Sequence, residues 1–115
     1  MSFSSSVLRD LLPLRADPGD AGALPVYGGQ VPLVSAGAET RTLAAPSRVG
    51  ARLVLAMKTD GGNIVVTCAT TVNQAGNNTL TFADVGDSIE LLAVNQDATL
   101  RWKVVGNEGV ALSTV

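Results

Sequence analysis

The sequence contains no histidine. Histidine is the usual general base near neutral pH and the commonest metal ligand, so Ser-His-Asp and Cys-His machinery is excluded, as is any histidine-bearing zinc site. There is a single cysteine, Cys68, which cannot form an internal disulfide. It lies in an apolar run with no cation beside it, the setting of a small buried hydrophobe and not of an activated thiol. The aromatics are Phe3, Tyr27, Phe82 and Trp102, too few for a base-stacking platform. Eight basic and ten acidic residues leave a formal charge of −2 without a run of either sign. Nucleic-acid binding through clustered Lys and Arg is therefore not expected. No apolar segment approaches the length of a membrane span, and no basic stretch leads into a long apolar one, so no membrane partner is expected and synthesis in a reducing cytoplasm is.

What the sequence does hold is apolar residues. They make up 46% of 115 residues, and charged residues only 16%, against about 25% in an ordinary soluble domain. A domain of this size buries roughly two-thirds of its unfolded surface and should be more polar than average. An apolar excess in a small domain is accounted for if another chain covers part of it, so an oligomer or a docked subunit is expected.

The chain divides near Ala36. Residues 1–36 carry four of the five prolines. A single helical turn fits residues 7–12; beyond it Pro13, Pro18, Pro25 and Pro32 fix φ, remove donors and favour extended backbone. The segment is nevertheless apolar: Leu11, Leu12, Leu14, Leu24, Val26, Tyr27, Val31 and Leu33 lie within it. A flexible linker would be more polar. Either it is an arm that becomes ordered by lying on something else, the reading preferred, or it is a tail that folds back over its own core.

Residues 37–115 carry a different pattern. Short β-prone runs recur about every ten residues: AETRTLA, RLVLAM, NIVVTCA, NTLTFA, SIELLAV, TLRWKVV and GVALS, separated by TDGG, NQAGN, DVGD, NQDA and GNEG. Such spacing predicts an all-β fold, a small antiparallel β-sandwich or barrel-like domain. Leu53, Leu55 and Met57 share one face of their run; so do Ile64, Val66 and Cys68, Leu80 and Phe82, and Leu100, Trp102 and Val104. Val54, Val65, Leu92 and Val105 make the second faces apolar too, and these need a cover.

The motif TDGG decides between enzyme and building block. A phosphate loop needs its lysine after the glycines and a helix behind them; here Lys58 precedes the glycines and a strand follows. Asp60 and Asn63 are too few oxygens for a calcium loop. Asp-Gly between two β-prone runs is a hairpin signal, so the turn is expected to fold residues 53–57 back onto 64–69, with Asp60 bonding to turn amides. Asp84, Asp87 and Glu90 fit a turn closing TLTF onto SIELL better than a catalytic pair, which needs one carboxyl in a dry pocket. Alternation sends Trp102 one way, toward core or interface, and Arg101 and Lys103 the other, toward a partner's carboxylates. No catalytic residue, metal ligand or cofactor is identified, and the chain is not expected to be an enzyme.

Residues 38–112 resemble a family of tailed-bacteriophage virion proteins. The resemblance rests on Thr42-Leu43-Ala44-Ala45-Pro46, on residues 58–63, on Thr81-Phe82-Ala83-Asp84, Gly86-Asp87 and Ile89-Glu90-Leu91, and on residues 102–109. In this family such domains occur as trimeric head decoration (cement) proteins and in tail or spike proteins. The resemblance implies a homotrimer on the virion surface with the major capsid protein as partner. It then places Val65, Leu92 and Trp102 at the trimer interface and makes residues 1–36 a capsid-binding arm, anchored through the eight apolar residues named above. The alternative is a tail or spike component, an adaptor or receptor-binding β-domain.

Overall fold

The structure, a computed structural model, describes residues 12–115; Leu11 and most of the helical turn expected over residues 7–12 lie outside that range. The described chain is all-β, without a helix. Its strands are β1 (Gly22–Ala23), β2 (Gly29–Val34), β3 (Glu39–Leu43), β4 (Arg52–Thr59), β5 (Ile64–Cys68), β6 (Thr79–Phe82), β7 (Ser88–Gln96), β8 (Thr99–Glu108) and β9 (Ala111–Ser113). A five-stranded sheet in the order β1-β3-β5-β6-β9 packs on a four-stranded sheet in the order β2-β4-β7-β8.

The period-2 pattern builds the core as expected. Leu53, Leu55 and Met57 of β4 face Ile64, Val66 and Cys68 of β5 across the sandwich, joined by Leu80, Phe82, Ile89, Leu91 and Trp102. Leu100 and Val104 pack against the edge of this core. Each of the seven runs read from residue 38 onward coincides with one strand, β3 to β9, with β4, β7 and β8 extending two or three residues past the run.

The connections differ from expectation. TDGG does not close a hairpin, because β4 and β5 belong to different sheets. It forms an arch that carries the chain across the sandwich. The preceding link from β2 to β3 is a second arch stacked directly on it. β2 therefore pairs with β4 in parallel, and β3 with β5 in parallel, so β1 to β5 wind as a flattened coil. The sheets are mixed, not antiparallel. Close packing of the two arches is what requires the glycines. A Cβ on Gly61 would lie 2.5 Å from the Ser35 carbonyl oxygen, and one on Gly62 would lie 2.4 Å from the carbonyl carbon of Gly37. Ser35, not Asp60, ties the arches together. Its Oγ donates to the Gly62 carbonyl at 2.6 Å, and the Gly61 N–H donates to that Oγ at 3.0 Å.

DVGD is likewise an arch, since β6 and β7 lie in different sheets. Asp87 holds it by accepting from the N–H groups of Ala83 and Asp84, each at 3.0 Å. NQDA does close a hairpin, between β7 and β8. Asp97 and Ala98 both have positive φ, 53° and 61°, as a two-residue turn of type I′ requires. Alanine in that conformation carries a Cβ clash that glycine lacks. Ala98→Gly is expected to stabilise the fold by about 1 kcal/mol, raising the midpoint of thermal unfolding by about 4 °C; scanning calorimetry of the two proteins checks this.

The proline-rich segment is the largest correction. Residues 12–36 are built into the sandwich and do not stand off it. Leu24, Val31 and Leu33 are core residues, and β2 is an edge strand. Gln30, Pro32 and Val34 turn their backbone nitrogens to its open edge: the Gln30 N–H donates to Pro13 O and the Val34 N–H to Asp17 Oδ2 at 2.9 Å. Pro32 stands between them, at a position where a missing donor costs no ladder bond.

Candidate functional site

The groups that ordinarily carry chemistry are occupied structurally. Cys68 is buried on the inner face of β5. Burial alone pushes its thiol up from 9.0 to about 12, since the thiolate would sit in apolar surroundings. At pH 8 its thiolate population, and with it attack on a disulfide reagent, is expected to fall on the order of 1,000-fold in the native protein relative to the denatured chain. Ellman's reagent with and without urea measures this. As the folded value is the raised one, the thiol leaves stability untouched below about pH 9 and lowers it as pH climbs from 9 toward 12, where only the unfolded chain ionises. Glu90 pairs with Arg52 on the outer face of the four-stranded sheet, apart from Asp87 in its arch. Among the described residues, no group of three or more acidic or cysteine side chains could hold a metal ion, and no helix is long and apolar enough to cross a membrane.

The residues expected to anchor an arm separate into two sets. Leu24, Val31 and Leu33 are sequestered in the core, Leu12 and Val26 are half-buried, and Leu14 and Tyr27 are exposed. Trp102, expected at an interface or in the core, is a core residue, 1% exposed. Its indole N–H donates to the Ala44 carbonyl at 3.0 Å. Val65 and Leu92 are half-buried on the outward faces of opposite sheets, so they do not form one patch.

Those outward faces differ chemically. On the four-stranded sheet, alternation puts Pro32, Val34, Val54, Ala56, Leu92 and Val94 outward. On the five-stranded sheet it puts Thr40, Thr42, Val65, Thr67, Thr81 and Ser113 outward in register. The four-stranded sheet thus carries an apolar patch outside, bordered by Arg52, Glu90 and Lys103, and the five-stranded sheet is apolar inside and mostly hydroxyl-bearing outside. At the start of β4 the apolar face ends in a cleft of about 300 Å³ lined by Arg15, Tyr27, Arg48 and Arg52. The sequence reading missed this cleft. Arg48 and Arg52 come from one stretch, but Arg15 and Tyr27 reach the cleft from distant positions and leave no local pattern.

A buried ion cluster at the opposite end of β2 was also missed. Arg41 points inward from β3 and is fully buried. Its Nε donates to Asp17 Oδ1 at 2.7 Å and its Nη2 to Asp17 Oδ2 at 2.8 Å. Nη2 also lies 3.0 Å from Glu39 Oε1 and donates to the Val34 carbonyl at 3.0 Å. Burial works against the Asp17 charge, but hydrogen bonds from Arg41, Val34 N–H and Gly19 N–H outweigh it and hold its carboxyl below 3.8. The hydrogen bond to Asp17 raises Arg41 above its ordinary value. The cluster staples residues 17–20 to both sheets, a structural role.

Comparison with protein-family models and with curated proteins finds no match to this chain.

Proposed function

We propose that this chain is a structural protein of a tailed-phage virion, a head decoration protein that docks as a homotrimer on the major capsid protein at the capsid surface. The observation that carries the reading is the outward face of the four-stranded sheet, where Val54, Leu92 and Val94 are half-buried and no described strand lies over them. Such a face is stable in water only at a cost in exposed apolar surface, and a neighbouring subunit removes that cost. The sequence resemblance over residues 38–112 supports the virion setting. Mechanistically, a ligand that binds only the mature shell stabilises it by mass action, and three linked contacts turn modest affinity into avidity. Leu92 on this face makes the trimer contact, and Val65, outward on the opposite sheet, lies outside it. Of the proposed capsid anchors, Leu14 and Tyr27 remain available in the folded domain.

Quantitative mass spectrometry of purified virions tests the reading. Copies comparable in number to the major capsid protein are the expected result; a few copies per particle would move the chain to the tail or spike. Leu92→Asp places a charge in the proposed contact without touching the core. It is expected to abolish trimers on the shell while leaving the thermal transition intact.

A further inference from the structure

We propose that the cleft formed by Arg15, Tyr27, Arg48 and Arg52 binds the carboxylates of an acidic segment on a partner protein. Three of the chain's eight basic residues line one cleft in a chain of net charge −2, and among the described residues no carboxylate lines it. Like charges gathered this way repel one another, and among the described residues only Arg52 has an ion-pair partner there, Glu90 on the cleft's flank.

One of the cleft's donors is held in a fixed orientation. The Arg15 guanidinium lies over the Tyr27 ring, 4.4 Å from its centroid, and its Nε donates to the Gly28 carbonyl at 3.3 Å. Stacking and that bond fix the plane of the guanidinium and leave its terminal nitrogens to meet a carboxylate edge-on. Gly28 and Gly29 form the wall in left-handed backbone conformations, φ 99° and 127°. A Cβ on Gly28 would lie 2.6 Å from the Arg52 carbonyl oxygen, and one on Gly29 would lie 2.8 Å from the Pro13 carbonyl oxygen. The wall therefore packs backbone against backbone, and the arginines project from a fixed frame.

The size and surroundings favour a protein partner over a nucleic acid. A cleft of about 300 Å³ accommodates a few acidic side chains. A polyanion needs a continuing basic track. The next cations on this sheet face, Lys103 and Arg101, stand on β8, beyond the apolar Leu92 and Val94 of β7 that pair with them. Exposed Tyr27 and Leu14 beside the cleft suit a segment that mixes carboxylates with apolar side chains. On the function proposed above, that segment belongs to the capsid protein; the cleft itself does not depend on that identification.

The test uses the full chain and a fluorescein-labelled peptide of alternating Glu and Leu, with a labelled single-stranded oligonucleotide of equal charge as the second probe. Anisotropy titrations at low salt are expected to show saturable peptide binding. The double variant Arg15→Gln, Arg48→Gln should weaken that binding about tenfold or more, and Arg101→Gln, Lys103→Gln should leave it unchanged. Arg48→Gln alone changes an exposed loop residue, so a loss of binding with an unaltered melting curve separates recognition from folding. Absence of peptide binding, equal loss in both double variants, or tighter binding of the oligonucleotide would each overturn the proposal. Co-sedimentation with capsids separates the two readings. Capsid binding that survives the loss of Arg15 and Arg48 removes the capsid protein as the cleft's partner and spares the decoration role; peptide binding without capsid binding spares the cleft and sinks the decoration role.

Discussion

Asp17→Ala is expected to destabilise the domain by about 3–5 kcal/mol, because it strands a buried guanidinium. Arg41 is fully buried, and Asp17 accepts two of its hydrogen bonds as a parallel pair. Without that carboxylate only Glu39 remains to balance the charge, and the Val34 N–H loses its acceptor at the edge of β2. A small domain has about 5–15 kcal/mol of stability in total, so the variant sits near the limit of folding. Urea denaturation measures the loss. The double variant Asp17→Leu, Arg41→Met removes the stranded guanidinium and should recover part of it; the remainder reflects Glu39 and the Val34 N–H, which lose their partners. The same pair sets the acid limit of the fold. The Asp17 carboxyl is held below 3.8 in the native state, so its contribution is complete above that pH and is lost as pH falls through the lowered native value. Asp17→Ala should accordingly show a shallower acid-induced loss than the wild type. Equal urea midpoints for wild type and Asp17→Ala would remove the staple from the account of stability.

Gly62→Ala is expected to cost about 3 kcal/mol, at the upper end for a forced fit in a packed site. The added methyl would come within 2.4 Å of the Gly37 carbonyl carbon and 2.6 Å of the Ala38 nitrogen. Both belong to the backbone of the neighbouring arch, so the two arches must separate, and the parallel pairings β2–β4 and β3–β5 loosen with them. Gly37→Ala is the control. Its Cβ points into open space and its φ is not in the left-handed region, so its effect should stay within about 0.5 kcal/mol. If the two variants unfold at the same urea concentration, close packing of the arches is not what selects glycine in TDGG.

These two sites also mark where local reading ends. Strand position was legible from residue 38 onward, because alternation depends only on residues two apart and the turn formers between runs are themselves local. The inward faces were legible for the same reason. The Asp-Gly signal was read as a hairpin because glycine after aspartate suits a tight reversal. In the fold those glycines answer a different demand, contact with Ser35 and Gly37 more than twenty residues away in sequence. Prolines argued against a strand at residues 29–34, yet β2 forms, since an edge strand tolerates Pro32 where its nitrogen faces outward. Arg41 looked like one polar position among Glu39, Thr40 and Thr42. Its burial depends on Asp17 reaching it from a distant segment.

The sequence by itself determined an all-β chain, the strands after residue 38, the inward apolar residues of those strands and the turn residues between them. Only the tertiary structure decided which strands pair, that the first five wind in parallel between two sheets, that residues 12–36 complete the sandwich, and that Arg15, Arg48 and Arg52 share a cleft with Tyr27. The physical reason is one of range. Side-chain periodicity and turn chemistry act over two to four residues. Pairing direction, ion burial and cleft formation depend on groups brought together across the chain, and these are settled by packing the two sheets.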